Sequence, residues 1–329
     1  IRDSSYGNQL YQTTGSGSFV LVAAGVEDQG YGTGVAVADY DGDSWLDLYL
    51  TNFGSNRLFR NQGDGTFQDL TQQAGLHNPI GKGMSAIWSD YDNDGDPDLF
   101  VANDGTENFL YQNNNDGTFQ DLAWLAGIDC DDHGNMQGSM GLDLADYDND
   151  GYPDLLVTNF QRQLNTLYRN EGNGFFNDVS FPSGLGYSLP FVSWGTGFFD
   201  FNNDGFLDLF IVNGHIQDQI ERYDSSTTYL QVDHLQINDQ QNSFDRQPTL
   251  FTTPKAGRGA AFGDYDNDGY LDIVTGSGNA DNEVIVWEND GSPFSGTWTP
   301  NDVGATGSAT VRAVAVGDLD NDGYLDIVS

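Results

Sequence analysis

One cysteine, two lysines and four histidines are spread through 329 residues. A lone thiol, Cys130, excludes an internal disulfide framework. With 50 acidic against 11 basic residues and a formal net charge of −39, the chain lacks the basic patches through which nucleic acid and anionic membrane surfaces are bound. Both drop out as partners. No apolar run approaches the roughly 20 residues of a membrane span, so no membrane insertion is expected. No Asn-x-Ser/Thr sequon occurs, so N-linked glycan is not expected either. Helical periodicity is nearly absent, and so are a nucleophile elbow and a glycine loop that would cradle phosphate ahead of a helix. The expectation is a protein without catalysis. The sequence shows no secretory leader and starts at Ile1 rather than Met, as a processed product or a segment would.

What is present in excess is one acidic cassette, repeated six times. Its fullest form runs from Asp264 to Asp272 as Asp-Tyr-Asp-Asn-Asp-Gly-Tyr-Leu-Asp, with carboxylates at positions 1, 3, 5 and 9. A hard divalent cation takes six to eight oxygens at about 2.3–2.6 Å, and carboxylates at alternate positions of a tight loop converge on one point. Magnesium fits less well, because it demands a tight octahedron and retains its waters. The spacing therefore predicts about six Ca²⁺ ions, each held by side chains 1, 3, 5 and 9 and the backbone carbonyl of position 7. The ligand sets are Asp39, Asp41, Asp43, Trp45 and Asp47; Asp90, Asp92, Asp94, Asp96 and Asp98; Asp146, Asp148, Asp150, Tyr152 and Asp154. They continue with Asp200, Asn202, Asp204, Phe206 and Asp208; Asp264, Asp266, Asp268, Tyr270 and Asp272; and Asp318, Asp320, Asp322, Tyr324 and Asp326. Any one Asp-rich turn would pass for an ordinary solvated loop; six in register do not. Asn202 replaces a carboxylate, and Ser44 stands where the other loops have the glycine of position 6, so the first and fourth sites are expected to be the weakest. Calcium in the stapling role, with no disulfides, places the chain outside the cytosol, extracellular or periplasmic.

The cassettes recur about every 50 to 65 residues, the period of propeller blades. Four strands can be read in each period. A small-residue run such as Gly34–Ala38 enters the acidic loop, and an apolar run such as Leu155–Thr158 leaves it. A third run, Asn56–Asn61, passes through a Gly-Asp-Gly turn to a fourth, Thr66–Leu70. The expected fold is all-β: one β-propeller domain over residues 1–329, with four-stranded antiparallel blades and a polar loop insertion at about 217–245. Six blades are counted, with seven as the alternative. The ring is expected to close by pairing N-terminal strands at 8–11 and 18–21 with the C-terminal half-repeat at 318–329, so that Leu10 and Ile327 lie on neighbouring strands.

The Asp-x-Asp-x-Asp-Gly-x-x-Asp loops running into Leu/Ile-Asp-Leu/Ile strands resemble the FG-GAP or VCBS repeats of integrin α-subunit propellers and their bacterial relatives. The runs Val212-Asn213-Gly214-His215 and Arg258-Gly259-Ala260 are similar to the cartilage acidic protein (ASPIC/UnbV-like) group, whose C-terminal segment is not in this sequence. The resemblance covers nearly the whole chain, and it implies that ligand meets the face opposite calcium. That face would carry Asn52, Phe53, Asn103, Asn159, Phe160, Asn213 and His215, with Tyr31 and the segment 129–133. Rings against apolar sugar faces and amides on hydroxyls would suit a glycan. The alternative is structural, with the Asn residues capping turns and Phe53 and Phe160 packing between blades. Cys130 and His133 fall short of a zinc set. The reading is an adhesive or binding propeller for an extracellular glycan or protein. The second reading is a building block that binds its own copies, and a carbohydrate-active enzyme comes third.

Overall fold

The computed structural model describes residues 8–13, 18–28, 30–278, 283–291, 298–305, 311–320 and 322–329. Each acidic cassette joins two antiparallel strands, and the aspartate at its position 9 opens the second. The first repeat is β3 (Gly32–Ala38), β4 (Asp47–Asn52), β5 (Arg57–Asn61) and β6 (Phe67–Asp69), after a hairpin of β1 (Leu10–Thr13) and β2 (Phe19–Val22). The second is β7 (Gly83–Ser89), β8 (Asp98–Asn103), β9 (Phe109–Asn113) and β10 (Phe119–Asp121), followed by one helical turn, α1 (Ala123–Ala126). The third is β11 (Leu142–Ala145), β12 (Asp154–Val157), β13 (Thr166–Asn170) and β14 (Phe176–Asp178). The fourth comprises β15 (Ser193–Phe199), β16 (Asp208–Asn213), β17 (His234–Asn238) and β18 (Phe244–Arg246). The fifth comprises β19 (Gly257–Gly263), β20 (Asp272–Ser277), β21 (Glu283–Glu288) and β22 (Thr299–Ala305); the short β23 (Ala315–Gly317) and β24 (Asp326–Val328) come last. Strand order within each repeat is sequential, so each is a four-stranded meander.

Five blades result, and the expectation of six or seven is corrected. Counting cassettes overcounted blades. The sixth cassette lies between β23 and β24, which form a sheet of two strands only, and β1 with β2 forms another. Leu10 pairs with Val22 and Ile327 with Val316, each within its own two-stranded sheet, so the expected pairing of the strands at Leu10 and Ile327 is not among the strand pairs of the described residues. The β1–β2 hairpin leaves Tyr11, Phe19, Val20 and Leu21 largely exposed. Leu10 packs against Val26, Leu50 and Phe59, but with the other apolar residues of the pair so exposed, little apolar burial fixes where β1 and β2 dock. The polar interval 217–245 is corrected as well. Its first part is a loop with a short 3₁₀ turn at Ile220–Arg222, but β17 and most of β18 lie in it. Gln236 and Asp245 disguised those strands by standing where other blades carry apolar or neutral residues.

Two compact units divide the chain, 1–142 with 168–178 and 143–167 with 179–329. In the first, Tyr40, Tyr49, Leu58, Leu99, Tyr111 and Phe119 form a core with Trp88 packed against it. In the second, Phe199, Phe201, Phe210 and Trp287 anchor one core and Tyr147, Leu156, Leu209 and Phe244 another. First strands of neighbouring blades approach closely, β3 to β7 and β15 to β19. A Cβ on Gly34 would stand 2.9 Å from the Met84 carbonyl oxygen, and one on Gly195 would stand 2.6 Å from the Ala260 nitrogen. That crowding is the reason β3, β15 and β19 carry glycine at these positions. A register shift recurs where it enters, between Gly32 and Gly34, Gly83 and Ser85, Ser193 and Thr196, and Gly257 and Gly259.

Candidate metal centres and their blade framework

All six cassettes fold the same way. The first aspartate accepts the backbone N–H of position 5 on Oδ1 and of position 6 on Oδ2; Asp90 does so from Asp94 and Gly95, both at 2.9 Å, and Asp264 from Asp268 and Gly269, both at 3.0 Å. Position 5 accepts the N–H of position 7, as Asp150 does from Tyr152 at 3.0 Å. Wrapping the chain this tightly needs a left-handed backbone at position 6, with φ of 96° at Gly95 and 91° at Gly269. Glycine adopts it freely; Ser44 adopts φ 72° without that freedom. Position 4 is left-handed too, at Gly42, Asn93, Asn149, Asn203 and Asn267, a second requirement that sequence reading missed although Asn and Gly at that place signal it.

Position 9 is the hinge between loop and sheet. The buried carboxylate of Asp98 accepts the Tyr91 N–H on Oδ2 at 3.3 Å and the Asn113 N–H on Oδ1 at 2.8 Å. Asp47, Asp208 and Asp272 repeat this with Tyr40 and Asn61, Phe201 and Asn238, and Tyr265 and Asn289. Burial pushes Asp47 up to about 6 and Asp98 and Asp208 up to about 7, against those hydrogen bonds. A cation beside them would favour the charged form.

The third-strand asparagine also reaches another blade. Asn113 donates from Nδ2 to the Tyr40 carbonyl at 2.9 Å, and Asn170 to the Tyr91 carbonyl at 2.7 Å. Asn238 donates to the Tyr147 carbonyl at 2.9 Å, and Asn289 to that of Phe201 at 3.0 Å. Each acceptor is position 2 of the preceding cassette. In the second, fourth and fifth blades, position 9 of the cassette is therefore hydrogen-bonded to the asparagine that holds the cassette before it. Sequence reading missed this latch.

Among the described residues, five cassettes bring three carboxylates within 4.8 Å of one another: Asp39, Asp41 and Asp43; Asp90, Asp92 and Asp94; Asp146, Asp148 and Asp154; Asp264, Asp266 and Asp272; and Asp318, Asp320 and Asp326. Such clusters repel themselves without a counterion. The buried Asp92 Oδ1 has no hydrogen-bond partner, as an oxygen reserved for a cation would not. These residues fit calcium. The fourth cassette is absent from that set, and its Asn202 spends Oδ1 on the Asp204 N–H at 2.9 Å. In the first, the Arg60 guanidinium pairs with Asp41 at 2.6 Å and with Asp43 at 2.9 Å, partly neutralising the site. The position-7 aromatics cover the turn between strands three and four: a Cβ on Gly63 would meet the Trp45 ring at 2.7 Å, and one on Gly291 the Tyr270 ring at 2.5 Å.

At the other end of the strands, Asn52, Asn103, Asn159 and Asn213 are buried. Their Nδ2 atoms donate to the carbonyls of Ser55, Glu107, Leu164 and Val232, and their N–H groups to the side chains of Asn56, Asn108, Asn165 and Asp233. They knit the turn from strand two to strand three. His215 is buried, accepts the Gln217 N–H on Nδ1 at 3.0 Å and lies 5.6 Å from the half-buried Phe160 ring. Phe53 is exposed, with Lys82 Nζ 5.7 Å from its ring centre, as is Tyr31. Burial and Asp129 push the Cys130 thiol up to about 11, and neither Cys130 nor His133 joins a metal-ligand cluster among the described residues.

Meander blades with an acidic loop at the same corner of each define a β-propeller repeat protein. The chain belongs to the FG-GAP-like repeat family, whose pattern matches residues 39–101, 90–157, 146–211, 200–275 and 271–329. It is similar to cartilage acidic protein 1 of Homo sapiens, 26% identical over 294 residues, covering 85% of this chain and 42% of that protein. The Xenopus tropicalis counterpart is 26% identical over 277 residues, covering 79% of this chain and 41% of that protein. The chain thus spans less than half the length of these relatives. A solved structure of an Agrocybe aegerita lectin, described by its recognition of non-reducing terminal N-acetylglucosamine, superposes with a TM-score of 0.56 at 18% identity, over 91% of this chain and 75% of that one. That likeness concerns the fold. No helix among the described residues is long and apolar enough to cross a membrane.

Proposed function

We propose that the chain is a secreted, non-catalytic propeller that uses calcium to rigidify its blades and presents them to an extracellular glycan. Calcium would be held by the carboxylates of positions 1, 3, 5 and 9, where it supplies charge neutralisation and cross-linking. The observation that carries the binding reading is a cleft of about 300 Å³ beside the second cassette, lined by Tyr91, Asp92, Gln112, Leu122, Leu125 and Phe175. It offers half-exposed ring and aliphatic surface, an amide at Gln112 and a carboxylate, the mixture that stacks on a sugar ring and hydrogen-bonds its hydroxyls. Gln112 donates to Asp92 Oδ2 at 2.6 Å, so loading the second cassette with calcium would set the position of the cleft's amide. The recognition of N-acetylglucosamine described for the Agrocybe aegerita lectin makes amino sugars the first ligands to try.

A glycan array run in calcium and in excess chelator tests the reading. Calcium-dependent binding that is lost in Phe175→Ala, with an unchanged melting temperature, is the expected result. Binding to no glycan in calcium, or equal binding in chelator, contradicts it. The separate two-stranded sheets β1–β2 and β23–β24 favour a second reading, a subunit that pairs strand edges with its own copies. Light scattering that shows a monomer at all concentrations removes that alternative.

A further inference from the structure

We propose that the fourth blade holds a single small monovalent anion of chloride size between β17, β18 and the segment 187–191. The site is built by a register position that four blades share. Cross-strand partners there are Phe59 with Asp69, Tyr111 with Asp121, Tyr168 with Asp178, and Gln236 with Arg246. Three blades thus place an aromatic ring opposite a carboxylate. The fourth alone places an amide opposite a guanidinium, so the local charge is reversed in a chain of net charge −39.

Arg246 stands in a cluster of polar groups that includes donors without acceptors. Its guanidinium carbon lies 5.1 Å from the Tyr187 ring centre and 5.9 Å from that of Phe191. The His234 ring is wedged between the same two rings, at 4.9 and 4.4 Å. His234 and Gln236 are almost fully buried. Arg246 Nε, the Tyr187 hydroxyl, both ring nitrogens of His234 and both amide atoms of Gln236 are buried and have no hydrogen-bond partner. The amide lies beside the hydroxyl but outside hydrogen-bonding geometry. No carboxylate pairs with Arg246 among the described residues, whereas Arg57, Arg60, Arg162 and Arg169 each have one.

Buried polar atoms left unpaired in one cluster are rare in native structures, and they ask for an occupant. A guanidinium N–H, an amide NH₂, a phenol O–H and an imidazole N–H converge there, which is the donor set of an anion cage. Burial and Arg246 push His234 well below its ordinary value, so the imidazole is neutral and offers one N–H. Burial raises Tyr187, which keeps its proton. Tyr187 and Phe191 are only half-buried, so an ion can exchange past them.

The test uses bromide as the probe, with calcium held constant. Crystals grown in sodium bromide should show an anomalous peak within hydrogen-bonding reach of Arg246, Gln236 and Tyr187. The melting temperature should rise with the logarithm of chloride concentration relative to sodium gluconate of equal ionic strength. Arg246→Met should abolish that rise. Should Arg246→Met fail to fold, Gln236→Glu supplies its own negative charge: it should melt at the same temperature in chloride and gluconate, and higher than the native chain in gluconate. Ordered water alone at the site, or a chloride effect that persists in Gln236→Glu, overturns the proposal.

Discussion

The second and fourth blades are built to one plan at the cassette and to different plans away from it. At the cassette, Asp98 and Asp208 each accept two backbone N–H groups, and Asn113 and Asn238 each latch onto the cassette before. Away from it, the second blade carries Asn108, Phe109, Tyr111 and Asp121 where the fourth carries Asp233, His234, Gln236 and Arg246. The difference shows where the repeat is constrained. Atoms that satisfy backbone groups recur, because a buried N–H or C=O left unpaired is costly in every blade. Side chains that satisfy no backbone group can change character even where they are buried, as Tyr111 and Gln236 are, and there a blade acquires its own chemistry.

The sharpest way to break this comparison is to remove the shared hinge. Asp98→Ala and Asp208→Ala each leave two buried N–H groups without a charged acceptor and should each cost about 3–6 kcal/mol in denaturant unfolding. A large loss in one blade and none in the other would end the idea of a common frame. Next in size is the latch. Asn113→Ala and Asn238→Ala strip donors from two carbonyls each, Tyr40 and Pro97 or Tyr147 and Leu207, and should each cost about 1–3 kcal/mol. Their effect should add less than independently to that of the same blade's position-9 aspartate, because the groups are bonded to each other.

A difference between the blades adds a pH dependence to the one that the raised Asp47, Asp98 and Asp208 share. Asp233 holds the Asn213 N–H as Asn108 holds that of Asn103, but burial raises Asp233 from 3.8 to about 7. A carboxyl whose folded value is raised binds its proton more tightly folded than unfolded. Its contribution to stability is full below the unfolded value and is lost as pH rises through the folded one. Native stability should therefore decline from about pH 4 to pH 7 by an amount that Asp233→Asn removes, on the order of 1 kcal/mol or more. Equal slopes for the two proteins would show that Asp233 is charged in the native state. The smallest effect is expected at Ser44. Ser44→Gly relieves a left-handed φ and should stabilise the chain by roughly 0.5–1 kcal/mol, after the extra backbone entropy of glycine is subtracted.

The cassettes were legible in the sequence because their ligands lie within nine residues and the loop is closed by its own backbone. Each latch was not. Asn113 and Tyr40 are 73 residues apart and Asn238 and Tyr147 are 91 apart, and an asparagine at a strand end looks like any turn residue. The same ambiguity left two readings open for Asn52, Asn103, Asn159 and Asn213, since an amide facing a ligand and an amide tying a turn read alike. Blade number failed for another reason. It depends on how terminal strands pair, and β1 and β2 have almost no buried face to specify a partner.

The central claim is that calcium in the cassettes holds the blades together. Melting the native chain in millimolar calcium and again in excess chelator tests it most directly. At free calcium about 100-fold above Kd each occupied site contributes roughly 2.7 kcal/mol, so loss of several sites should unfold the chain or lower its melting temperature steeply. Superimposable melting curves in the two conditions would contradict the account.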